Sequence, residues 1–152
     1  MVLTDKFTSM IHFKALCFAI LVLFTAPALA QQKLNLPPPD RVAIRTTIES
    51  QMAAFRRDDG AAAFAFATPS IQAMFGTPEN FLEMVRRGYA PVYRPRSVEF
   101  AEIVGDADHP VQLVHLVGPD GETVIAAYEM ARGASGWKIN GCVLLRAPGR
   151  AT

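Results

Sequence analysis

Val111-Gln112-Leu113-Val114-His115-Leu116-Val117-Gly118-Pro119-Asp120-Gly121 is the stretch whose reading decides the fold. Its first seven residues are apolar at nearly every position, as expected of a strand central in a sheet or covered on both faces. The turn that follows has a physical reason for each residue. Pro119 pre-sets the first corner, and Asp120-Gly121 tolerates the positive φ that tight hairpins require. Thr123 to Met130 makes the return strand, with Val124, Ala126, Tyr128 and Met130 in one phase. A second tight connection, Gly133-Ala134-Ser135-Gly136, leads into a last strand over Trp137 to Leu144. There Trp137, Ile139 and Val143 are expected on one face, with Lys138 and Asn140 pointing away. Upstream, Val98 and Phe100 alternate with Glu99 and Ala101, the pattern of a strand with one buried face. Asp106-Ala107-Asp108-His109-Pro110 supplies the first hairpin turn. Three successive hairpins with no helical period between them exclude a parallel βαβ sheet. Arg96 to Arg146 therefore reads as four antiparallel strands.

The preceding segment reads as helical cover for that sheet. Asp40 is placed to cap a helix in which Ile44, Ile48, Met52 and Phe55 recur at spacings of four, four and three, on one face. Gly60 is expected to end it. Asp59 is placed to start a second, alanine-rich helix that Thr68-Pro69 interrupts, and Ile71 to Phe75 forms another short helical turn ending at Gly76. Thr77-Pro78-Glu79 opens a further helix with a hydroxyl cap, Pro at its first position and an acid in its first turn. Arg86 and Arg87 suit the negative end of that helix, and Gly88 closes it. Tyr89 to Arg96, with prolines at 91 and 95, is expected to run extended into the sheet. Helices first and an antiparallel meander afterwards make an α+β domain.

Residues 1–30 read as an export signal. Ala15 to Thr25 is an uninterrupted apolar run, followed by Pro27 and the small-residue site Ala28-Leu29-Ala30 before polar Gln31. The run is shorter than the roughly 20 residues that span a bilayer. Cleavage after Ala30 is thus expected, giving a periplasmic or secreted protein with no stable membrane anchor. Met10 would give a tighter signal than Met1. Cys17 lies in the run without the small residues of a lipid-attachment site. Gln31 to Pro39 is a polar, then proline-rich lead, expected to be extended and poorly ordered. The domain proper spans residues 40–146, with a tail over 147–152.

The signal holds one acid (Asp5) and two bases (Lys6, Lys14), so the +1 charge of the whole chain becomes neutral without it. That balance argues against a nucleic-acid partner. Cys142 is the only cysteine past the signal, so no intramolecular disulfide is expected. Its bland reading is a small buried hydrophobe. Past the signal, two histidines and one cysteine make no zinc pattern. A phosphate-cradling glycine loop and a dinucleotide fingerprint are both missing, so no metal or cofactor is expected. Ser135 belongs to a hairpin, which excludes a strand-to-helix nucleophile elbow.

His115 is the best single candidate for chemistry, because a neutral imidazole in an apolar strand can act as a base near physiological pH. The simpler reading is a half-buried strand histidine. Tyr89, Tyr93, Arg94 and Arg96, beside Arg86 and Arg87, form the most distinctive polar cluster. Arginine forks and phenols together can hold a carboxylate or phosphate. In the simpler reading the arginines are solvated or bridge Glu83, Glu99 or Glu102. Tyr128 is a further candidate hydrogen-bond donor.

Three stretches carry a family resemblance: Ile48 to Phe55 continuing to Asp58-Asp59, Phe81 to Pro95, and Gly136 to Cys142. They resemble the bacterial exported family catalogued as domain of unknown function 4864, within the nuclear transport factor 2-like (cystatin-like) superfamily. The resemblance implies a cone of helices on a curved sheet, with any site inside it. It supplies no catalytic residues. Two functions stay open at this point. One is a non-enzymatic module binding a small molecule or a protein, with a homodimer through the sheet face. The other is a small pocket enzyme of isomerase or cyclase type using His115 as base with Tyr128 or Tyr93 as donor. A His115 facing a filled core or bulk solvent would remove the second.

Overall fold

A computed structural model describes residues 32–147. The expected export signal and cleavage site, Cys17 and Gln31 lie outside those residues, as does the tail beyond Ala147. Five helices precede four strands: α1 (Pro38–Arg56), α2 (Gly60–Ala65), α3 (Pro69–Phe75), α4 (Pro78–Gly88), α5 (Ala90–Tyr93), β1 (Ser97–Gly105), β2 (Pro110–Val117), β3 (Thr123–Gly133) and β4 (Gly136–Arg146). The strands form one antiparallel sheet in the order β1-β2-β3-β4. This is the expected α+β meander. Its tight turns use the expected residues: Asp106 accepts from the backbone of Asp108 and His109, and Asp120 from that of Glu122, while Gly121 takes φ 89°.

The helices cover one face of the sheet. Ile44, Ile48, Met52 and Phe55 of α1 are fully buried, as their spacing predicts, against Val114 and Leu116 of β2 and Ala126, Tyr128 and Met130 of β3. Buried Gln112 shares that inner face, and its Nε2 donates to the Ala101 carbonyl at 2.9 Å beside the β1 irregularity. Both sheet edges are partly shielded, which removes ready templates for pairing with another chain. Lys33 bridges Val104 outside β1, and the Ala67 segment bridges Ile139 outside β4.

Several local readings need correction. The proline-rich lead is extended but docked: Leu34 N–H donates to the Ile103 carbonyl at 2.7 Å, and Leu36 joins the core. Helix α1 starts at Pro38, with prolines in its first turn where their missing N–H is not needed. Asp40 thus sits inside the first turn rather than capping it. It instead accepts from Trp137 Nε1 at 3.0 Å and Arg132 at 2.8 Å, tying α1 to β4 and its hairpin. Gly60 does not end α1. The chain leaves at Arg57, reverses through Asp58 at φ 57°, and Gly60 begins α2 against α4, where a Cβ would lie 3.2 Å from the Pro78 carbonyl oxygen.

Tyr89 to Arg96 is not wholly extended, because Pro91 falls in the first turn of α5, which tolerates it, and Pro95 lies just beyond the helix. Val143 does not share the face of Trp137 and Ile139. The register shifts opposite Glu129 and Met130, leaving Asn140 unpaired, so the phase of β4 flips there. Cys142 and Leu144 turn inward, and Val143 and Leu145 turn outward at 58 % and 45 % exposure.

Replacing Ile48 by Ala should cost about 2–5 kcal/mol in equilibrium urea unfolding. Val42→Ala, exposed on the same helix, should stay within about 0.5 kcal/mol.

Candidate functional site

The inner face and its helices do not close completely. A cavity of about 230 Å³ opens between α3, α4 and the middle of β3 and β4. Its walls are mostly apolar and in part aromatic: Phe55, Phe75, Phe81 and Tyr89, with Ile71, Met74 and Met84 from α3 and α4. The Phe81 ring centroid lies 6.0 Å from that of Phe55 and 5.5 Å from that of Phe75, so the wall is one packed aromatic group. Exposed Met74 and glycine-capped α3, which buries none of its residues fully, stand on the solvent side.

The polar groups of the cavity are few. Gln51 is buried, and its Nε2 donates to the Ala63 carbonyl at 3.1 Å. Tyr89 donates its hydroxyl to the Cys142 carbonyl at 3.0 Å. Tyr128 differs from both. It is 1 % exposed at the centre of β3, and its hydroxyl is buried with no hydrogen-bond partner among the described residues. Leaving a buried hydroxyl unsatisfied costs about 1–3 kcal/mol. Cys142 stands opposite Tyr128 in register. Its thiol is near enough to influence the phenol's titration. Burial raises the Tyr128 phenol well above its ordinary value, with Cys142 a smaller cause, and pushes the Cys142 thiol up to about 12. Burial also raises Tyr89. All three groups therefore stay protonated at neutral pH.

The sequence candidates divide between this cavity and other places. Tyr89 and Tyr128 line it. His115 pairs with Glu99 and Ile125 on the opposite, outward face of the sheet, and it is exposed. The second face of β2, expected to be covered if the strand is doubly apolar, has no helix against it among the described residues. Tyr93 and Arg94 belong to a separate cluster that supplies its own carboxylate. Arg86 and Arg94 each reach Asp58 at 3.1 Å, and the Tyr93 hydroxyl donates to the same carboxylate. Both guanidiniums lie over the Tyr93 ring, at 5.6 and 4.8 Å from its centroid. The anion that this cluster holds is thus Asp58, at the α1–α2 reversal. Arg87 does bridge Glu83, at 2.6 Å. Arg96 donates to the Pro119 carbonyl and braces the β2–β3 turn.

Sequence reasoning missed Met74 of α3 as part of the cavity wall, whereas the inward turn of Cys142 agrees with its reading as a small buried hydrophobe. One signal was available for Asp58: the Asp58-Asp59 pair needs only Asp59 for the α2 cap, which leaves a carboxylate unassigned. Among the described residues, no group of three His, Cys, Asp or Glu is placed to hold a metal ion. No described helix is long and apolar enough to cross a membrane.

Residues 38–152 match the family described as domain of unknown function (DUF4864). The chain belongs to the DUF4864 family. A solved domain of unknown function from Nostoc punctiforme, with a cystatin-like fold, aligns with this DUF4864 domain at TM-score 0.51 and 16% identity, over 76% of this chain and 82% of that one. That likeness establishes the cystatin-like fold. A protein from Novosphingobium aromaticivorans, described as an aromatic ring hydroxylase, aligns at TM-score 0.46 and 16% identity, over 76% of this chain and 94% of that one. That likeness is too distant to bear on activity. No curated protein matches the DUF4864 chain.

The Asp58 cluster makes a pH prediction. The Tyr93 hydroxyl, then Arg86 and Arg94, hold its carboxyl below the ordinary 3.8. A depressed folded value contributes stability that is present above 3.8 and is lost as pH falls through the lower folded value. Asn accepts the positive φ of this position, so Asp58→Asn isolates the charge. It should lower the thermal midpoint at neutral pH and flatten its fall below pH 3.8, as read by thermal melts at stepped pH. An unchanged acid limb would mean that the cluster contributes nothing to stability.

Proposed function

We propose that this protein is an exported, non-enzymatic module that binds a small molecule in the cavity beneath α3 and α4. The observation that carries the reading is an open, mostly apolar cavity whose described lining residues include no group that ionises near neutral pH. Pockets of this apolar kind, with a few polar atoms, are the usual form of small-molecule sites. Proton-transfer chemistry needs a group poised near the working pH. His115, the base of the alternative isomerase or cyclase reading, faces away from the cavity into solvent. Export is supported by the apolar run and small-residue site over residues 15–30.

The test is titration of the purified protein with ethylbenzene. A bound probe at a hundredfold excess over its Kd should stabilise by about 2.7 kcal/mol, and Ile71→Trp at the cavity wall should abolish the effect. Failure of ethylbenzene and of longer alkylbenzenes to shift the thermal midpoint would overturn the reading.

A second copy of this chain is proposed as cover for the outer sheet face. Two registered rows there, His115–Ile125–Leu145 and Leu113–Ala127–Val143, present six adjacent residues of which only His115 is polar. Native mass spectrometry of protein from an exporting host should show a dimer of chains beginning at Gln31. Leu145→Glu should convert it to monomer, and a monomeric wild type would overturn the dimer.

A further inference from the structure

A second concavity lies away from the one beneath α3 and α4, and its chemistry is the opposite. A groove of about 390 Å³ is left between the docked lead, the first half of α1 and β1. Its floor is fixed by the β1 irregularity between Phe100 and Ile103, where the buried Gln112 amide donates to the carbonyls of Ala101 and Leu113 at 2.9 and 2.8 Å. An irregularity of this kind bends a strand and re-aims its side chains.

Three cations line the groove: Lys33 from the lead, and Arg41 and Arg45 from α1. The two arginines are four residues apart, so they are neighbours on one helix face. Glu102 is the acid in the described lining. The whole chain carries only +1, so this surplus is local. Arg45 is held in place, with its guanidinium carbon 4.7 Å from the Phe100 ring centroid and its Nε donating to Glu49 at 2.8 Å. Its two terminal nitrogens are not used in that bond. Among the described residues, Arg45–Glu49 is the one ion pair at this groove.

We propose that the groove binds a small organic monocarboxylate, its carboxylate held between Arg41 and Arg45 and its short apolar body against Leu34 and Ile103. The charge surplus sets the sign of the ligand. Arginine forks match the planar carboxylate. Glu102 opposes a second negative charge, which favours a monoanion over a phosphate dianion. Arg45 already occupies a face of Phe100, so a flexible chain suits the groove better than a stacked ring. Lys33, Arg41 and Arg45 are exposed, so the carboxylate keeps part of its hydration and escapes the cost of full burial. The site stands independently of the apolar cavity.

The probes are hexanoate, hexan-1-ol and inorganic phosphate, titrated into the whole protein and followed by backbone amide shifts. Hexanoate should shift the amides of Leu34, Arg41, Arg45 and Glu102 saturably. Hexan-1-ol and phosphate should bind there about fivefold more weakly or less, the worth of one exposed charge contact. Arg41→Gln and Arg45→Gln should each weaken hexanoate about fivefold. Both side chains are exposed, so the thermal midpoints of these variants should stay near that of the wild type. Raising salt from about 0.01 M to about 1 M shrinks the Debye length from roughly 30 Å to roughly 3 Å, and should weaken hexanoate. Ile71→Trp, which fills the other cavity, should leave hexanoate binding unchanged, so the two sites fail or stand separately. Hexan-1-ol binding as tightly as hexanoate, or hexanoate shifts confined to the amides around Ile71 and Phe75, would overturn the carboxylate site. Phosphate binding as tightly as hexanoate would overturn the monocarboxylate assignment. No saturable shift at the groove with any probe would overturn the site altogether.

Discussion

Ile44, Ile48, Met52 and Phe55 lie on one stripe of α1, and that stripe seals the middle of the inner sheet face. The rest of the structure depends on this contact, because a four-stranded meander with one apolar face is not stable until something covers it. The contact accounts for the fully buried Val114, Leu116, Ala126 and Met130 opposite. It also leaves work for the remaining helices. A single helix covers a stripe about 10 Å wide, and a four-stranded sheet is wider. Helices α2 to α5 complete the cover from the side, and they do so with large, adaptable residues rather than a second long stripe. The cavity opens where that cover is thinnest.

The polar interactions mark the joints of this arrangement. Asp40 ties the start of α1 to Trp137 and Arg132. Asp58 ties the end of α1 to α4 and α5 through two arginines and a tyrosine. Gln112 supports the irregular part of β1, and Arg96 braces the β2–β3 turn. These groups are exposed or partly exposed, except Gln112 and Trp137. Their individual contributions are small in water, so their role is to fix where the helices stand on the sheet rather than to drive burial. Tyr128, buried at the centre of the sheet, is the exception to this pattern of satisfied polar groups.

Much of the domain was legible in local sequence because local rules set it. The hairpin at Gly118 to Gly121, the Asp59 and Thr77 caps, and the α1 stripe each depend on residues within a few positions of one another. The errors came where distant residues decide. Asn140 adds one unpaired residue to β4 against β3, and this single insertion sends Val143 outward and Cys142 inward. Alternation alone could not detect it, since a bulge is defined by the partner strand. Pro91 was read as a helix breaker because its chemistry depends on position, and it falls in the first turn of α5, where it is tolerated. Arg86, Tyr93 and Arg94 looked like a waiting anion site because their acidic partner, Asp58, is twenty-eight residues or more away in the chain.

The sequence by itself determined the α+β order of elements, the antiparallel meander, the inner-face phase of β3 and the family resemblance. Periodicity and turn chemistry encode these directly, through spacing that the backbone imposes on every strand and helix. Tertiary structure alone decided which candidates meet. It placed His115 on the open face, gave the arginines to Asp58, and left the Tyr128 hydroxyl buried without a partner among the described residues. The physical reason is that a side chain's partner and its access to solvent are properties of surfaces brought together by folding, from segments that no local pattern relates.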